Sequence, residues 1–298
     1  MNAAPRNAGP KKWIVGLDLG PRSSGAIRFA KWLANSCEDQ LVGVHVLEEA
    51  HLRPALRYHV LGELQTNALT TARAVIANAG ATPDFAVVEV IEGHTAEDSL
   101  AAAATYRMCH GIVVGRNAPR DGRTLLRLGR VARRLLRTLP APIAVVPPDL
   151  DLATSCTGPV VLACSIDEDG AAAAEFARGL AARLGRGLEL VHVAPMPDHH
   201  SAQYLPHETL AKLRIDTQTE TQARLAAWAQ AHDLGDATAV VLLGTIVEQV
   251  SEYAESRDAA VIVTGSRRLS GFERLLLASA GSELAAHARR PVLVVPPS

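Results

Sequence analysis

The chain has 298 residues, enough for two domains of ordinary size that each bury their own core. Hydrophobic residues make up 48% of the chain and charged residues 20%, which is typical of a globular protein and argues against a disordered one. The formal net charge of −1 argues against a general nucleic-acid binder, which needs a basic excess.

The first half of the chain alternates apolar, β-branched runs with amphipathic segments, which predicts alternating strands and helices. The predicted strands are residues 13–18, 41–47, 85–91, 111–115 and 143–146. The predicted helices are residues 25–35, 61–78 and 96–106, and a segment that follows the basic loop after the fourth strand. Residues 48–60 carry Pro54 and are predicted as a loop, and Thr95 and Asp98 resemble a capping box.

A restart of the same pattern marks the second half. Residues 149–158 show no sustained periodicity and are predicted to be a linker. The strands predicted after it are residues 160–164, 188–193, 239–243, 260–264 and 292–295. The predicted helices are residues 171–184 and 210–231, a third opened by a capping box at residues 245–248, and a fourth before the last strand.

Corresponding residues of the two halves lie at nearly constant separations. Phe29 and the His45–Val46 pair recur 147 positions later, Gly115 recurs 150 positions later, and the closing VVPP recurs 149 positions later. Such constancy over a whole domain indicates duplication rather than chance composition. The sequence therefore predicts one domain at residues 11–148 and a second at residues 159–298.

The order of these elements predicts an α/β fold of two tandem, doubly wound domains. Each has a five-stranded parallel sheet with helices on both faces. Ligands of such sheets bind beyond the carboxyl ends of the strands, at the topological switch point. Here the first and fourth strands lie side by side at that point, so Asp18 and the loop after Gly115 are predicted to meet. A strand that ends in glycine before a helix also leaves backbone N–H groups free for an anion.

The sequence resembles the universal stress protein family in its tandem, two-domain form, from Lys12 to Pro297. The resemblance rests on the aspartate after the first strand (IVGLD), the His-Val of the second, the VVG of the fourth and the PxxVVP ending. It implies the strand order 3-2-1-4-5 in each half and a role in the stress response. It also implies that the two halves pair as a pseudo-dimer, strand five against strand five.

Many members of this family bind ATP through a motif of glycine, two residues, glycine, nine residues, glycine, then serine or threonine. The aspartate after the first strand and a valine of the second strand hold the adenosine end. Glycines let the backbone approach the phosphates, and amides at the next helix start receive them. In the first half, Asp18, Val46 and Gly115 match this pattern.

The first half departs from the family's motif in three places. Ala118 replaces the second glycine, and Pro119 after it removes an amide donor. Gly129 serves as the third glycine after ten intervening residues, and Arg130 replaces the hydroxyl residue. Arginine can clamp a phosphate more strongly than serine. The resemblance implies that an adenine nucleotide binds at Asp18, Val46, Gly115, Arg116, Gly129, Arg130 and Val131.

The second half departs further from the motif. Gly265 and Ser279 match, but the other two glycines are replaced. Ser165 or Ile166 stands where the aspartate belongs, and the acids at 167–169 repel phosphates. The weaker site implied here comprises Val193, Gly265, Ser266 and Ser279. We therefore expect ATP in the first half rather than in the second.

Several other groups admit a structural and a functional interpretation. The arginines at 123, 127, 130, 133, 134 and 137 form either the solvated face of a helix or a surface for phosphate or an acidic partner. His45 and His192 lie in apolar strands and are predicted to be packed. Residues 198–200 (DHH), with His207 nearby, are predicted to be an exposed loop rather than a metal site.

Cysteine spacing and the lack of apolar targeting segments indicate the compartment. The four cysteines show neither CxxC nor zinc-ligand spacing, which predicts free thiols in a reducing compartment. No apolar run has the length of a signal-peptide core or of a membrane span. The protein is therefore predicted to be cytoplasmic, without a nucleic-acid or membrane partner.

Three functions remain open: a stress protein that senses an adenine nucleotide, a pseudo-dimeric interaction module with degenerate loops, and a slow ATPase. The chain contains no GxSxG, HExxH or Walker A motif. An enzyme would also need a base or metal ligand that the sequence does not single out. The sequence favours binding without turnover, with an unidentified protein partner. The chain is either a monomeric pseudo-dimer or a homodimer.

Overall fold

The computed structural model of the chain describes residues 9–20, 23–116, 128–152, 156–167, 170–197, 203–266 and 280–297. Within these ranges strands alternate with helices, as the alternating sequence pattern predicts. The chain divides into two compact units, Met1–Thr154 and Ser155–Ser298. Each unit has its own sheet strands and its own covering helices.

The first half forms a parallel sheet in the predicted order. Its described elements are β1 (Lys12–Gly16), α1 (Ser24–Cys37), β2 (Gln40–Glu48), α2 (Glu49–Arg57), α3 (Leu61–Asn78), β3 (Phe85–Gly93), α4 (Ala96–Tyr106), β4 (Gly111–Gly115), α5 (Arg130–Thr138) and β5 (Ile143–Val146). The strands lie in the order β3-β2-β1-β4-β5, and every neighbouring pair is parallel. The predicted order 3-2-1-4-5 is confirmed.

The second half repeats this topology. Its described elements are β6 (Val160–Ala163), α6 (Ala171–Leu184), β7 (Leu188–Ala194), α7 (His207–Ala231), β8 (Thr238–Leu243), α8 (Ile246–Ser256), β9 (Val261–Gly265), α9 (Ala280–His287) and β10 (Val292–Val295). The strand order is β8-β7-β6-β9-β10, again with parallel pairs. The duplication inferred from the sequence is therefore a duplication of fold.

Helices cover both faces of each sheet because parallel crossovers are right-handed. The chain moves from β1 to β3 in one direction across the sheet and from β3 to β5 in the other. This places α1 and α3 on one face, where they contact each other, and α4 and α5 on the opposite face, where they also make contact. The topological switch lies between β1 and β4, as the sequence predicts.

Burial on both faces explains why the central strands are unbroken apolar runs. In β1, the side chains of Trp13, Ile14 and Val15 are completely buried. The edge strand β3 is less buried than β1, and Val87 on it is 41% exposed. The sequence pattern thus distinguishes central strands from edge strands.

The predicted loop at residues 48–60 is wrong, because α2 spans Glu49–Arg57 with Pro54 inside it. Leu52 and Ala55 of this helix are buried, and Leu52 belongs to a cluster with Leu47 and Ala68. This packing offsets the hydrogen bond that proline removes. Other predicted boundaries differ by a few residues: β1 ends at Gly16 instead of 18, β6 at Ala163 instead of 164, and α7 begins at His207 instead of 210.

The two predicted capping boxes have different outcomes. The Thr95 hydroxyl accepts from the Asp98 backbone N–H at 3.2 Å and donates to the Asp98 carboxylate at 2.7 Å, so the first cap is confirmed. Thr245 is also an N-cap residue, but its hydroxyl bonds the Glu248 carboxylate and not the backbone. The second capping box is therefore wrong in its bonding, although it marks the helix start correctly.

Candidate functional site

Three residues of the predicted ATP site lie at the carboxyl ends of neighbouring strands. β1 pairs with β2 on one side and with β4 on the other. Asp18 follows β1, Val46 lies near the end of β2, and Gly115 is the last residue of β4. The fold therefore brings the three to one edge of the sheet, at the switch point where α/β proteins bind ligands.

Asp18 organises the turn between β1 and α1. Its Oδ1 accepts the backbone N–H of Gly20 at 2.8 Å and the hydroxyl of Ser23. Ser23 is buried at the start of α1, whereas Asp18 is exposed. The carboxylate thus fixes the turn by local hydrogen bonds and remains accessible to a ligand.

The backbone after β4 is positioned by β5. Gly115 pairs with Val146, and the backbone N–H of Arg116 donates to the Val146 carbonyl at 2.7 Å. A Cβ added at Gly115 would lie 3.8 Å from the Cβ of Ala26, an ordinary contact. Packing therefore does not require glycine at this position, which leaves room for close approach of a ligand to the backbone.

Arg116 brings a buried positive charge to the same edge. The residue is 5% exposed, and burial lowers the pKa of its guanidinium, while the charge of Asp149 opposes that shift. Arginine remains protonated even with a lowered pKa of this kind. The edge that carries Asp18 and Gly115 therefore also carries a cation.

Arg130 has a partner that the sequence analysis did not identify. Gly129 is the N-cap of α5, and Arg130 is the first residue of that helix. The Arg130 guanidinium donates to Oε1 of Glu48, at the end of β2. The same carboxylate oxygen accepts the Ala96 backbone N–H at 2.9 Å, at the start of α4. Glu48 thereby links three elements at the site edge, next to the half-buried Val131.

Two arginines of the basic set at 123–137 tie α5 to the rest of the domain. Arg134 donates to Glu97 of α4, a carboxylate that is 4% exposed. Arg130 and Arg134 are therefore both paired with carboxylates of the domain, whereas Arg133 and Arg137 are exposed. The structure therefore supports neither a wholly solvated face nor a free basic surface. The arginines at 123 and 127 lie outside the described residues.

The environment of Glu48 predicts an acid-dependent loss of stability. Burial raises the pKa of this carboxyl, but the Ala96 N–H and the Arg130 charge lower it by more, so the net shift is downward. A carboxylate with a lowered pKa stabilises the fold at neutral pH. That stabilisation is lost as the pH falls from the unfolded pKa of about 4.3 through the folded value.

We therefore expect the melting temperature of the wild type to fall more steeply below about pH 4.5 than that of Glu48→Gln. The measurement is thermal unfolding between neutral pH and pH 3. Glu63→Gln, at an exposed position on α3, is the matched control and should follow the wild type. Parallel curves for wild type and Glu48→Gln would contradict the assignment.

Equivalent histidines show that the two halves match in hydrogen bonding as well as in topology. His45 Nδ1 lies 2.7 Å from the Leu17 carbonyl oxygen, and His192 Nδ1 lies 2.9 Å from the Cys164 carbonyl oxygen. A carbonyl only accepts, so Nδ1 is the protonated nitrogen in both. Both rings are half-buried, and their prediction as packed histidines is confirmed.

This equivalence makes Ser165, rather than Ile166, the counterpart of Asp18. The Ser165 hydroxyl donates to Asp167 Oδ2 at 2.5 Å. The indole Nε1 of Trp228, on α7, donates to the Asp167 carbonyl at 3.4 Å, and a Cβ added at Gly170 would lie 3.0 Å from the ring. The tryptophan ring therefore occupies space beside the loop after β6.

The other predicted residues of the second half hold the same backbone positions as their counterparts. Val193 lies in β7 and is 8% exposed, and Gly265 pairs with Val295. The Ser266 backbone N–H donates to the Val295 carbonyl at 3.0 Å, as Arg116 does to Val146. Ser279 lies outside the described residues, so its predicted role is not placed.

Other features of the described part of the chain lie away from this edge. A cavity of about 500 Å³ borders α1 at Arg28 and Trp32, and another of about 370 Å³ is lined by residues 10–12 and 107–110. Neither is lined by a predicted site residue. None of the four cysteines, all of which lie in the described ranges, forms a disulfide bond. In the described residues, no group of three or more His, Cys, Asp or Glu side chains could hold a metal. The DHH segment lies outside them.

The fold defines a protein of the doubly wound α/β class, with a duplicated domain and a topological switch point in each copy. The sequence model of the universal stress protein family matches residues 10–147 and 158–296. The chain therefore belongs to the universal stress protein family, in its tandem form. Among the described residues, no helix has the length and hydropathy needed to cross a membrane.

Solved structures with a similar fold cover nearly the whole chain. A universal stress protein from Archaeoglobus fulgidus is 16% identical, with a TM-score of 0.67 over 97% of this chain and 99% of that one. A protein of unknown function from Pseudomonas aeruginosa is 15% identical, with a TM-score of 0.64 over 97% and 93%. At this identity the likeness shows the fold alone. No curated protein sequence matches the chain.

Proposed function

We propose that the N-terminal half binds an adenine nucleotide such as ATP, without significant turnover, and that this binding serves a stress response in the cytoplasm. The observation that carries the proposal is the placement of Asp18, Val46 and Gly115, the residues that match the family's ATP pattern, at the ends of three neighbouring strands. Membership of the family, many members of which bind ATP, supports it.

The proposed roles follow from the chemistry of each residue. The exposed Asp18 carboxylate accepts hydrogen bonds from the adenosine end, beside Val46. The phosphates lie beside Gly115, where the nearest atom to an added Cβ is the Ala26 Cβ at 3.8 Å, so the backbone can be approached closely. Arg116 and Arg130 supply the positive charge that polyphosphate requires.

The second half keeps Val193 and Gly265 but lacks the aspartate of the family's ATP pattern. Ser165 replaces the aspartate, and its hydroxyl bonds Asp167, which adds a negative charge to the loop after β6. That charge disfavours an anionic nucleotide at this edge. The Trp228 indole packs beside the same loop, where its N–H donates to the Asp167 carbonyl. We therefore propose one nucleotide per chain. The pairing of the halves through strand five, and any protein partner, rest on the family resemblance.

The direct test is the ligand content of the purified protein. The protein is denatured, and the released small molecules are identified by mass spectrometry. ATP is then titrated against the melting temperature. We expect a copurifying adenine nucleotide, or a rise of about 5 °C at saturating ATP, because a ligand that binds only the native state stabilises it. An empty protein that is indifferent to millimolar ATP would leave the interaction module as the function.

The Glu48–Arg130 ion pair predicts that Glu48 weakens ATP binding. Its carboxylate competes with phosphate for Arg130 and adds negative charge near the bound ligand. We expect Glu48→Gln to tighten ATP binding about three- to tenfold, measured by isothermal titration calorimetry. Glu97→Gln removes the same charge from the neighbouring Arg134 pair and should change the affinity by less than twofold. Equal effects of the two variants would indicate a general charge effect only.

A further inference from the structure

The cavity at the amino ends of β1 and β4 has a lining that the nucleotide site does not explain. It has a volume of about 370 Å³ and is lined by residues 10–12 and 107–110. Lys12 begins β1 and Gly111 begins β4, so this cavity lies at the opposite edge of the sheet from Asp18. A ligand bound here would be distinct from one bound at the switch point.

Basic side chains dominate this lining. Lys11, Lys12, Arg107 and His110 contribute to it, and no acidic residue does. Lys11 Nζ lies 3.2 Å from His110 Nε2. The Arg107 guanidinium forms an ion pair at 2.6 Å with Glu89, which does not line the cavity. Lys12 is exposed and forms no ion pair with any residue in the described ranges. Several cations held around one small volume favour an anionic occupant.

The second half shows that the backbone here does not depend on these side chains. Met108 has a φ of 51°, and its counterpart Asp258 has a φ of 49°. The backbone N–H of Cys109 donates to Ala104 at 2.8 Å, and that of its counterpart donates to Ala254 at 2.9 Å. The same left-handed residue and the same bonds recur in both halves.

The side chains on this shared backbone are nevertheless different. The second half has Gly158 and Pro159 where the first has two lysines, and Ala259 and Ala260 where the first has a cysteine and a histidine. The His110 backbone N–H donates to the Lys12 carbonyl at 2.8 Å, and the same bond, from Ala260 to Pro159, is 2.8 Å long in the second half. This backbone therefore does not require the lysines. His110 packs edge-on against Trp13, with ring centroids 5.2 Å apart, so it is the lysines whose presence calls for another explanation.

We propose that this cavity binds a small phosphoryl-bearing anion. The guanidinium of Arg107 and the ammonium groups of Lys11 and Lys12 are the donors that phosphoryl oxygens prefer. The volume of about 370 Å³ fits a small phosphorylated molecule rather than a macromolecule. This site is independent of the proposed nucleotide site, because the two share no residue.

Cys109 provides a reporter inside the cavity. It is half-buried, whereas Cys37, Cys156 and Cys164 are buried. Burial raises the pKa of the Cys109 thiol, and the charges of Arg107 and Lys12 oppose that shift. The thiol is therefore protonated at neutral pH and reacts slowly, so alkylation is best followed at pH 8.5 with neutral iodoacetamide.

The experiment measures the rate of Cys109 alkylation, by peptide mass spectrometry, as a function of inorganic pyrophosphate, with potassium chloride at equal ionic strength as the reference. We expect pyrophosphate to slow alkylation at least threefold. In Lys12→Gln the concentration that gives half-protection should rise about fivefold. Lys212→Gln, an exposed lysine of α7, is the control and should leave it unchanged.

Two outcomes would overturn the proposal. One is an alkylation rate that pyrophosphate changes no more than potassium chloride does. The other is protection that is equal in the wild type and in Lys12→Gln, because a cavity that recognises a phosphoryl group through its lysines must weaken when one is removed. ATP binding at Asp18 plays no part in either measurement.

Discussion

Asp18→Ala is expected to lower the affinity of the chain for ATP by about 10- to 100-fold, because a hydrogen bond to a charged group contributes about 1.5–3 kcal/mol. The substitution removes the carboxylate that the adenosine end needs. It also removes the acceptor that holds Gly20 and Ser23 in the turn before α1. Both losses act at the edge of the sheet where the ligand is proposed to lie. Calorimetric titration of ATP measures the effect directly.

Two further variants separate ligand contact from turn geometry. Asp18→Asn keeps an oxygen that can accept from Gly20 and Ser23 but loses the charge, so its affinity should fall between those of wild type and Asp18→Ala. Ser165→Ala changes the equivalent position of the second half and should leave the affinity unchanged. If Asp18→Ala binds ATP as tightly as the wild type does, Asp18 is not part of the binding site.

The fold was predictable because each element carries its own local signal. Central strands such as β4 are apolar runs that end in glycine. The alternation of strands and helices then predicts parallel strand pairing and right-handed crossover connections. The helix α2 was not predictable in this way. Pro54 is a breaker by local rules, and the helix persists because Leu52 is buried against Leu47 and Ala68. Tertiary packing overrides local propensity there.

The candidate site was predictable only where position along a strand fixes position in space. Asp18 and Gly115 follow β1 and β4, so strand order alone brings them together. The partner of Arg130 is different, because Glu48 lies 82 positions away and nothing local links the two. An acid directly after an apolar strand was the available signal. Likewise, no local pattern places Trp228 against the loop at Asp167, 61 positions away.

Gly111→Val is expected to destabilise the N-terminal half by about 3 kcal/mol. Gly111 begins β4 and pairs with Trp13 of β1. A Cβ added at Gly111 would lie 2.4 Å from the Trp13 ring and 2.7 Å from the Pro142 carbonyl oxygen. Trp13 is completely buried, and its indole Nε1 donates to Asp39 at 3.0 Å, so the ring cannot move without losing contacts. Thermal and urea unfolding measure the loss.

The second half supplies the compensating change. There Val160 pairs with Val261 at the positions of Trp13 and Gly111, so a large and a small side chain are replaced by two of medium size. The Ile112 N–H donates to the Pro142 carbonyl at 2.9 Å, and the Ile262 N–H donates to the Pro291 carbonyl at the same distance. The backbone arrangement is therefore the same in the second half, where Val261 carries a Cβ.

The double variant Trp13→Val/Gly111→Val should therefore be more stable than the sum of its single changes by about 2 kcal/mol, the coupling expected of residues in contact. Trp13→Val alone leaves a cavity and should cost about 3 kcal/mol. Recovery stays incomplete, because Asp39 loses the indole donor in both variants that change Trp13. Strictly additive losses would mean that the ring and the glycine do not pack against each other. Coupling of the expected size would show that the two halves fill the same strand contact with different pairs of side chains. The β1–β4 contact uses a large and a small residue, and the β6–β9 contact uses two of medium size.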